Sequence, residues 1–199
     1  MMKKFFKDLE RIIKEIDREP IGKLLNELED LARRQGRLFI LGVGGSAANA
    51  SHAVNDFRKL CGIECFTPTD NAAELTARIN DEGWVNCYAD WLKTSRLAKE
   101  DLVLILSVGG GNEERGVSVN LIKAIKYAKG IGAKVAGIIG RDGGYTKKVA
   151  DICVLIPTVN DYLITPFVES FQVIILHFLA FHSYLQVNSG KWESIALKK

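Results

Sequence analysis

The stretch that decides the fold is Leu38-Phe39-Ile40-Leu41-Gly42-Val43-Gly44-Gly45-Ser46-Ala47, in which an apolar run enters a glycine-rich turn. Similar continuous apolar runs lie at 102–106, 135–139 and 152–156, and a weaker one lies at 63–67. Runs without polar alternation are typical of strands buried on both faces, from which parallel sheets are built. The sequence therefore predicts a parallel sheet.

Helical segments separate these runs. They lie at 47–60, 72–79, 85–97 and 117–131, and Gly132 supplies a helix stop after the last. Alternating strands and helices predict a right-handed, doubly wound α/β sheet. Ahead of the first strand, apolar residues at helical spacing from 9 to 16 and from 21 to 31 predict an antiparallel helix pair.

The last apolar segment, 165–185, is apolar on nearly every face. A helix of that kind must be covered on all sides, so the sequence predicts a homo-oligomer. Its longest apolar stretch, 173–181, is interrupted by His177 and is shorter than the ~20 residues that a membrane span needs. Asp8 and Glu10 interrupt any signal-peptide core, and the four cysteines form no CxxC pair, so we expect a cytoplasmic protein with reduced thiols.

Chain length and charge distribution limit the number of domains and the class of binding partner. At 199 residues the chain predicts one domain over 1–199, with the helix pair at 1–36 and the α/β core with its last helix at 37–199. Lys and Arg number 27 against 24 Asp and Glu, and the two signs alternate along the chain. A nucleic-acid binder concentrates its basic residues in a stripe, so no nucleic-acid partner is expected.

Two glycine-rich loops predict an anion site. The first, at 42–47, precedes a helix whose N-terminus carries a partial positive charge. The second reads Ser107-Val108-Gly109-Gly110-Gly111-Asn112 and follows another strand, so both loops lie at one sheet edge. Two alternatives stay open: the first loop also fits the dinucleotide pattern GxGxxA, although no acid follows the second strand at the expected place, and it could be a ligand-free turn. The segment at 140–144 is interpreted as a connector.

Histidines and acids form a second set of candidates. His52 and Asp56 are four residues apart and share a helix face. Asn80 and Asp81 precede Gly83, where they could approach the same crevice. A lone histidine on an apolar helix, such as His177 or His182, is more often a satisfied core residue than a ligand.

Taken together, these residues resemble the sugar isomerase (SIS) domain family and, within it, the phosphoheptose isomerases. The resemblance rests on Gly-x-Gly-Gly-Ser-Ala with His52 six residues after Ser46, on Asn80-Asp81-x-Gly83, on the Ser107 loop, on Asp142-Gly143-Gly144, and on Thr165-x-x-x-Glu169 with His177. It implies a five-stranded parallel sheet between helices and a tetramer with active sites at subunit interfaces. It also implies conversion of sedoheptulose 7-phosphate to D-glycero-D-manno-heptose 7-phosphate through an enediol, in heptose biosynthesis for lipopolysaccharide, S-layer or capsule.

The resemblance also assigns residues. Asp56 and His177 become the acid/base pair, and zinc is expected on His52, Asp56, Glu169 and His177. The phosphosugar is expected to contact Gly44, Gly45, Ser46, Asp56, Asn80, Asp81, Ser107, Gly109, Asn112 and Glu169. The competing interpretation is a non-catalytic phosphosugar-binding domain or one that binds the replication initiator DnaA.

This chain departs from the family pattern at four places. Val43 stands where asparagine is usual, Asp56 where glutamate is usual, and Glu169 where glutamine is usual. The family's Ser-Thr-Ser-Gly-Asn-Ser loop becomes the glycine-rich loop at 107–112, which lacks several of the hydroxyls that would hold phosphate. Backbone N–H groups of the glycines are expected to substitute for them.

Overall fold

Five parallel strands form a single sheet in the computed structural model, which describes residues 2–196. The spatial order is β2-β1-β3-β4-β5, and the strands are β1 (Leu38–Leu41), β2 (Cys65–Phe66), β3 (Leu102–Ser107), β4 (Lys134–Ile139) and β5 (Ile152–Leu155). Every side chain of β1 and β3 is buried, as their continuous apolar runs predict. The weak run at 63–67 yields only a two-residue strand, and Pro68 begins a 3-10 turn directly after it.

Helices cover both faces of this sheet, which confirms the predicted three-layer α/β architecture. They are α1 (Met2–Glu15), α2 (Glu19–Arg33), α3 (Gly45–Cys61), α4 (Ala72–Glu82), α5 (Cys87–Thr94), α6 (Val119–Gly130), α7 (Gly144–Val149), α8 (Ile164–Ala180) and α9 (Lys191–Ala196). The helix predicted at 85–97 is shorter, because a turn at Gly83 precedes it and Arg96 adopts a left-handed φ of 52° after it. The six-residue helices α7 and α9 were not predicted.

Alternation along β1 divides the core in two. Leu38 and Ile40 face a layer built from α2, α3 and α8. Phe39 and Leu41 face the opposite layer, built from α5 and α6. Because each face of the sheet is fully covered, polar groups can reach a ligand only at the sheet edge or on the outer sides of the helices.

Both predicted N-terminal helices are present, and each contributes side chains to the core. In α1, the Phe5 ring lies 5.0 Å from that of Phe167, and Asp8 accepts a hydrogen bond of 2.8 Å from Asn160. The second helix, α2, lies against β5 and buries Leu24 and Leu28. The two helices therefore help to cover the layer that holds α3 and α8.

Helix α8 begins at Ile164 and ends at Ala180, five residues before the end of the apolar segment predicted at 165–185. With the turn that precedes it, it forms a 20-residue segment, Asp161–Ala180, of mean hydropathy 1.7, which suffices for a membrane span by length and composition alone. Its inner side is packed in the core, where the fully buried Gln172 donates to the carbonyl of Ile138, as in a core helix of a globular domain. On its outer side Ile174 and Phe178 remain 54% and 49% exposed, so one chain does not supply the complete cover that its composition predicts.

Candidate functional site

A cavity lies at the carboxyl ends of β1 and β3, between which the strand order of the sheet reverses. Strand β1 lies between β2 and β3, so the loops that leave β1 and β3 diverge at their carboxyl ends, which is the usual ligand position in open α/β sheets. The cavity has a volume of about 430 Å³. The predicted residues Ser46, Ser107, Gly109 and Asn112 all line it. Both glycine-rich loops therefore contribute to one crevice.

The first loop requires glycine at its start and leaves a buried hydroxyl without a partner. A Cβ on Gly42 would lie 2.5 Å from the backbone of Ser46, so only glycine lets the first turn of α3 pack this closely on the strand. Tyr88 fixes the turn by donating to the Gly42 carbonyl at 2.7 Å, and burial raises the pKa of Tyr88, which keeps this donor protonated. Ser46 is 1% exposed, yet among the described residues its Oγ has no hydrogen-bond partner. An orphaned buried hydroxyl at a cavity wall is suited to bind a ligand.

The second loop is supported from below by the segment that the sequence analysis interpreted as a connector. Thr146 donates to the Gly110 carbonyl through both its N–H, at 2.9 Å, and its Oγ1, at 2.8 Å. A Cβ on Gly144 would overlap the carbonyl oxygens of Gly109 and Gly111. Arg141, Asp142 and Gly144 line the cavity, so the connector interpretation was incomplete: this turn is part of the wall.

A polar seam runs between α3 and α8, which lie side by side in the same direction. At its start, the Glu169 carboxylate lies against Gly45, where any side chain would overlap it. One turn further, Asn49 donates to the Glu169 carbonyl at 2.9 Å and to Gln172 Oε1 at 3.0 Å. Further along, His52 meets His177. The sequence analysis missed Asn49 and Gln172, because only tertiary packing places them opposite each other.

Three of the predicted ligands converge along this seam. His52 Nε2 lies 2.9 Å from His177 Nε2, and Asp56 Oδ2 lies 3.3 Å from the first and 3.6 Å from the second. The side chain of Asp56 is 13% exposed, while those of His52 and His177 are 52% and 45% exposed. Zinc bonds of ~2.0–2.1 Å in a tetrahedral site hold neighbouring ligand atoms about 3.3 Å apart, so this nitrogen and oxygen donor set fits such an ion.

Glu169 is not brought to these three groups. Eight residues separate it from His177 on α8, which is ~12 Å along the helix axis. Its carboxylate instead lies at the N-terminus of α3, where the helix dipole favours a negative charge. The predicted metal site is therefore represented in this chain by His52, Asp56 and His177.

The remaining candidates neither line the cavity nor join the ligand cluster. Asn80 and Asp81 are exposed in the last turn of α4, where Asn80 donates to Asp81 at 2.7 Å, and neither lines the cavity. Gly44 is exposed in the first loop with a φ of 62°. His182 accepts from the Tyr184 N–H at 3.3 Å outside the ligand cluster, in keeping with a structural histidine.

Cys61 follows Asp56 on α3 but does not join the ligand set. Its Sγ donates to the Ala180 carbonyl at 3.3 Å. Burial and, to a smaller extent, the nearby Asp56 charge raise the pKa of this thiol to about 11. Cys61 is therefore neutral at pH 7, whereas a metal-binding cysteine is a thiolate.

Comparisons with known proteins agree with this geometry. The model of the SIS domain family matches residues 4–140, which include both glycine-rich loops, His52 and Asp56. The lincomycin biosynthesis protein LmbN of Streptomyces lincolnensis is 30% identical over 189 residues, covering 90% of this chain and 67% of that protein. A phosphoheptose isomerase of Aliarcobacter butzleri is 30% identical over 187 residues, covering 89% of this chain and 92% of that protein. The solved phosphoheptose isomerase GmhA of Neisseria gonorrhoeae has the same fold, with a TM-score of 0.76 at 22% identity over 90% of this chain and 92% of that one.

Proposed function

The chain belongs to the SIS domain family, and we propose that it is an aldose–ketose isomerase that converts sedoheptulose 7-phosphate to D-glycero-D-manno-heptose 7-phosphate in heptose biosynthesis. Its similarity to phosphoheptose isomerases over most of both chains supports this assignment. The observation that carries this assignment is the convergence of His52 and Asp56, on α3, with His177, on α8. The first turn of α3 also lines the cavity that we propose for the phosphate.

The spacing along α3 suits a phosphorylated sugar. Ser46 and His52 are six residues apart, which is ~9 Å along the axis, and Asp56 lies ~15 Å from Ser46. An extended seven-carbon sugar phosphate is about 10 Å long, from its carbon–carbon bonds of ~1.5 Å. On this spacing, we propose that a substrate whose phosphate occupies the cavity extends its carbonyl end towards Asp56 and the histidines.

Isomerisation requires two proton movements that Asp56 and His177 can perform. One proton leaves C1 of the ketose while the C2 oxygen gains one, which forms the enediol. A proton then returns to C2 while the O1 proton leaves, which forms the aldehyde. Asp56 Oδ2 and His177 Nε2, 3.6 Å apart, are close enough to serve the adjacent carbons C1 and C2. A positioned acid or base of this kind accelerates proton transfer by ~10²–10⁴-fold.

Zinc is the metal that we propose for the three converging ligands, held by His52, Asp56 and His177. When bound there, it would polarise the substrate oxygens and stabilise the negative charge of the enediolate. Asp56 and His177 are then ligands as well as acid/base candidates, so replacing either residue is expected to lower metal content as well as turnover.

The active form is proposed to be a homo-oligomer, a tetramer by the family resemblance. Phe6, Ile13, Ile174 and Phe178 are exposed in the isolated chain. Light scattering is expected to give a mass above one chain at micromolar concentration, and a concentration-independent monomer would contradict the proposal.

A cytoplasmic location fits the thiols. Cys61, Cys65 and Cys87 are buried and free, and Cys153 is half-buried and free. Burial is the main cause that raises the pKa of each, so the thiols stay protonated and unreactive.

The alternative is a non-catalytic SIS-domain protein that binds a phosphosugar or DnaA. The replaced serine loop favours it, because hydroxyls that would hold phosphate are absent. The converging His52, Asp56 and His177 favour catalysis, because a scaffold has no need of three such ligands.

Product analysis after incubation with sedoheptulose 7-phosphate tests the proposal. Shorter ketose phosphates and unphosphorylated sedoheptulose belong in the same panel, since one relative acts in lincomycin biosynthesis. We expect the seven-carbon phosphate to be converted most efficiently. Conversion of none of these sugars by metal-replete protein would support the non-catalytic alternative.

A further inference from the structure

Two arginines line the cavity without an acidic partner. Within residues 2–196, neither Arg115 nor Arg141 forms a side-chain hydrogen bond or ion pair, although both are on the cavity wall. Arg37 and Arg78, by contrast, pair with carboxylates at 2.7 Å and 2.9 Å. The cavity is lined by these two cations and by one carboxylate, Asp142. Its charge therefore favours an anion.

Arg115 is held at the cavity by a short anchored turn. Asn112 and Val117 exchange two backbone hydrogen bonds of 2.9 Å, and Asn112 Oδ1 accepts from the Arg115 N–H at 2.8 Å. Glu113 ties the turn to α6 through an ion pair of 2.8 Å with Lys126. The loop at 107–118, which lacks several hydroxyls of the family pattern, thus carries an arginine on the cavity wall.

Arg141 lies across the second glycine-rich loop. Its Cδ is 3.3 Å from the place where a Gly109 side chain would begin, so glycine at 109 leaves room for it. Its backbone adopts a left-handed φ of 54° directly after the close packing of Gly140 on Val168. The guanidinium and the backbone of the loop therefore face the same cavity.

Ser46 gives an independent indication of a ligand. Its buried Oγ is unpartnered and lies on the same cavity wall. Ser118, the residue before α6, also lines the cavity, and its hydroxyl makes no capping hydrogen bond to that helix. A phosphate would satisfy both hydroxyls as well as two guanidinium groups, which bind its oxygens in pairs more strongly than neutral donors do.

We propose that Arg115 and Arg141 bind the substrate phosphate and replace the hydroxyls that the loop at 107–112 lacks. This deepens the proposed function and rests on it for the identity of the substrate. The two residues would determine specificity for phosphorylated over unphosphorylated sugars. Lysine would not substitute fully, since its ammonium cannot form the paired contacts of a guanidinium.

Calorimetric titration with inorganic phosphate tests this without turnover. Arg115→Gln and Arg141→Gln are each expected to weaken phosphate binding about tenfold or more, the usual effect of losing a charge-assisted hydrogen bond. Arg33→Gln is the control, because it removes the same charge from the exposed surface of α2, where Arg33 pairs with Asp30 at 2.8 Å. Thermal unfolding of each variant verifies that it is folded.

Outcomes separate this proposal from the isomerase assignment. Absence of phosphate binding by the wild-type protein, or unchanged affinity in both variants, would overturn the role of the arginines. In sedoheptulose 7-phosphate assays, each variant should raise KM far more than it lowers kcat, and Arg115→Lys should restore only part of the affinity. Wild-type protein that binds phosphate but converts no sugar would refute the proposed function and leave the arginine site standing.

Discussion

The seam between α3 and α8 offers a sharp test of how the structure holds the candidate site together. Gln172 is fully buried, accepts from Asn49 at 3.0 Å and donates to the Ile138 carbonyl at 3.3 Å. Gln172→Leu keeps the volume and removes both hydrogen bonds. Each bond contributes about 1 kcal/mol net, and the polar groups left without a partner add about 1 kcal/mol more. We therefore expect the free energy of unfolding to fall by about 2–3 kcal/mol.

Urea denaturation at fixed protein concentration measures this change, because an oligomer's stability depends on concentration. In a chain of this size the loss corresponds to a fall in Tm of about 4–12 °C. Ser170→Ala, on the exposed side of α8, is the matched control and should change stability by less than about 0.5 kcal/mol. In a double-mutant cycle, Asn49→Ala and Gln172→Leu should be coupled. A loss below about 0.5 kcal/mol for Gln172→Leu, or strictly additive effects, would refute the reasoning.

Three further predictions concern the loops, the sheet and the metal. Gly144→Ala should lower the free energy of unfolding by about 1–3 kcal/mol and weaken phosphate binding, because the added Cβ would overlap the carbonyl oxygens of Gly109 and Gly111. Gly130→Ala is the control, because the space around Gly130 is open, and it should be tolerated. Equal effects of the two substitutions would contradict this prediction. Burial raises the pKa of Asp151, but hydrogen bonds from Lys129 and Val135 outweigh this effect, so the pKa is lowered overall. The Asp151 carboxylate therefore stabilises the fold at neutral pH, and this contribution disappears below about pH 4. Asp151→Asn should lower the free energy of unfolding at pH 7 but not in acid, and a pH-independent loss would contradict this. Elemental analysis should find zinc in protein purified without chelator and less in His52→Ala, and unchanged turnover after chelation would remove zinc from the mechanism.

Most of the fold could be predicted because the signal is local. Residues 38–41 and 102–106 are apolar without interruption, which is typical of strands covered on both faces. The weak apolar run at 63–67 corresponds to a strand of only two residues, Cys65–Phe66. The exact extent of α5 depended on a left-handed Arg96, which no periodicity reveals.

The candidate site was predictable only in part, because its pieces come from distant segments. His52 and Asp56 could be paired from helical spacing, but their approach to His177 depends on α8 running beside α3. The same packing carries Glu169 to Gly45, away from the ligands with which the resemblance groups it. Arg141 belongs to the turn at 140–144, whose glycines in the sequence indicate only a connector. In the structure, its side chain lies against Gly109 of the second glycine-rich loop and lines the cavity.

The central claim is that this chain isomerises a heptose phosphate with Asp56 and His177, and one measurement tests it most directly. Sedoheptulose 7-phosphate is incubated in D₂O with wild-type protein, Asp56→Ala and His177→Ala, and the product is analysed by mass spectrometry and NMR, with circular dichroism verifying the fold. The account predicts that the wild-type protein forms D-glycero-D-manno-heptose 7-phosphate carrying solvent deuterium at C2, because His177, one of the two groups that move protons, is 45% exposed and exchanges its proton with solvent. Both folded variants should form about 10²-fold less product or lower still. Full activity in either variant, or a product without deuterium at C2, would contradict the account.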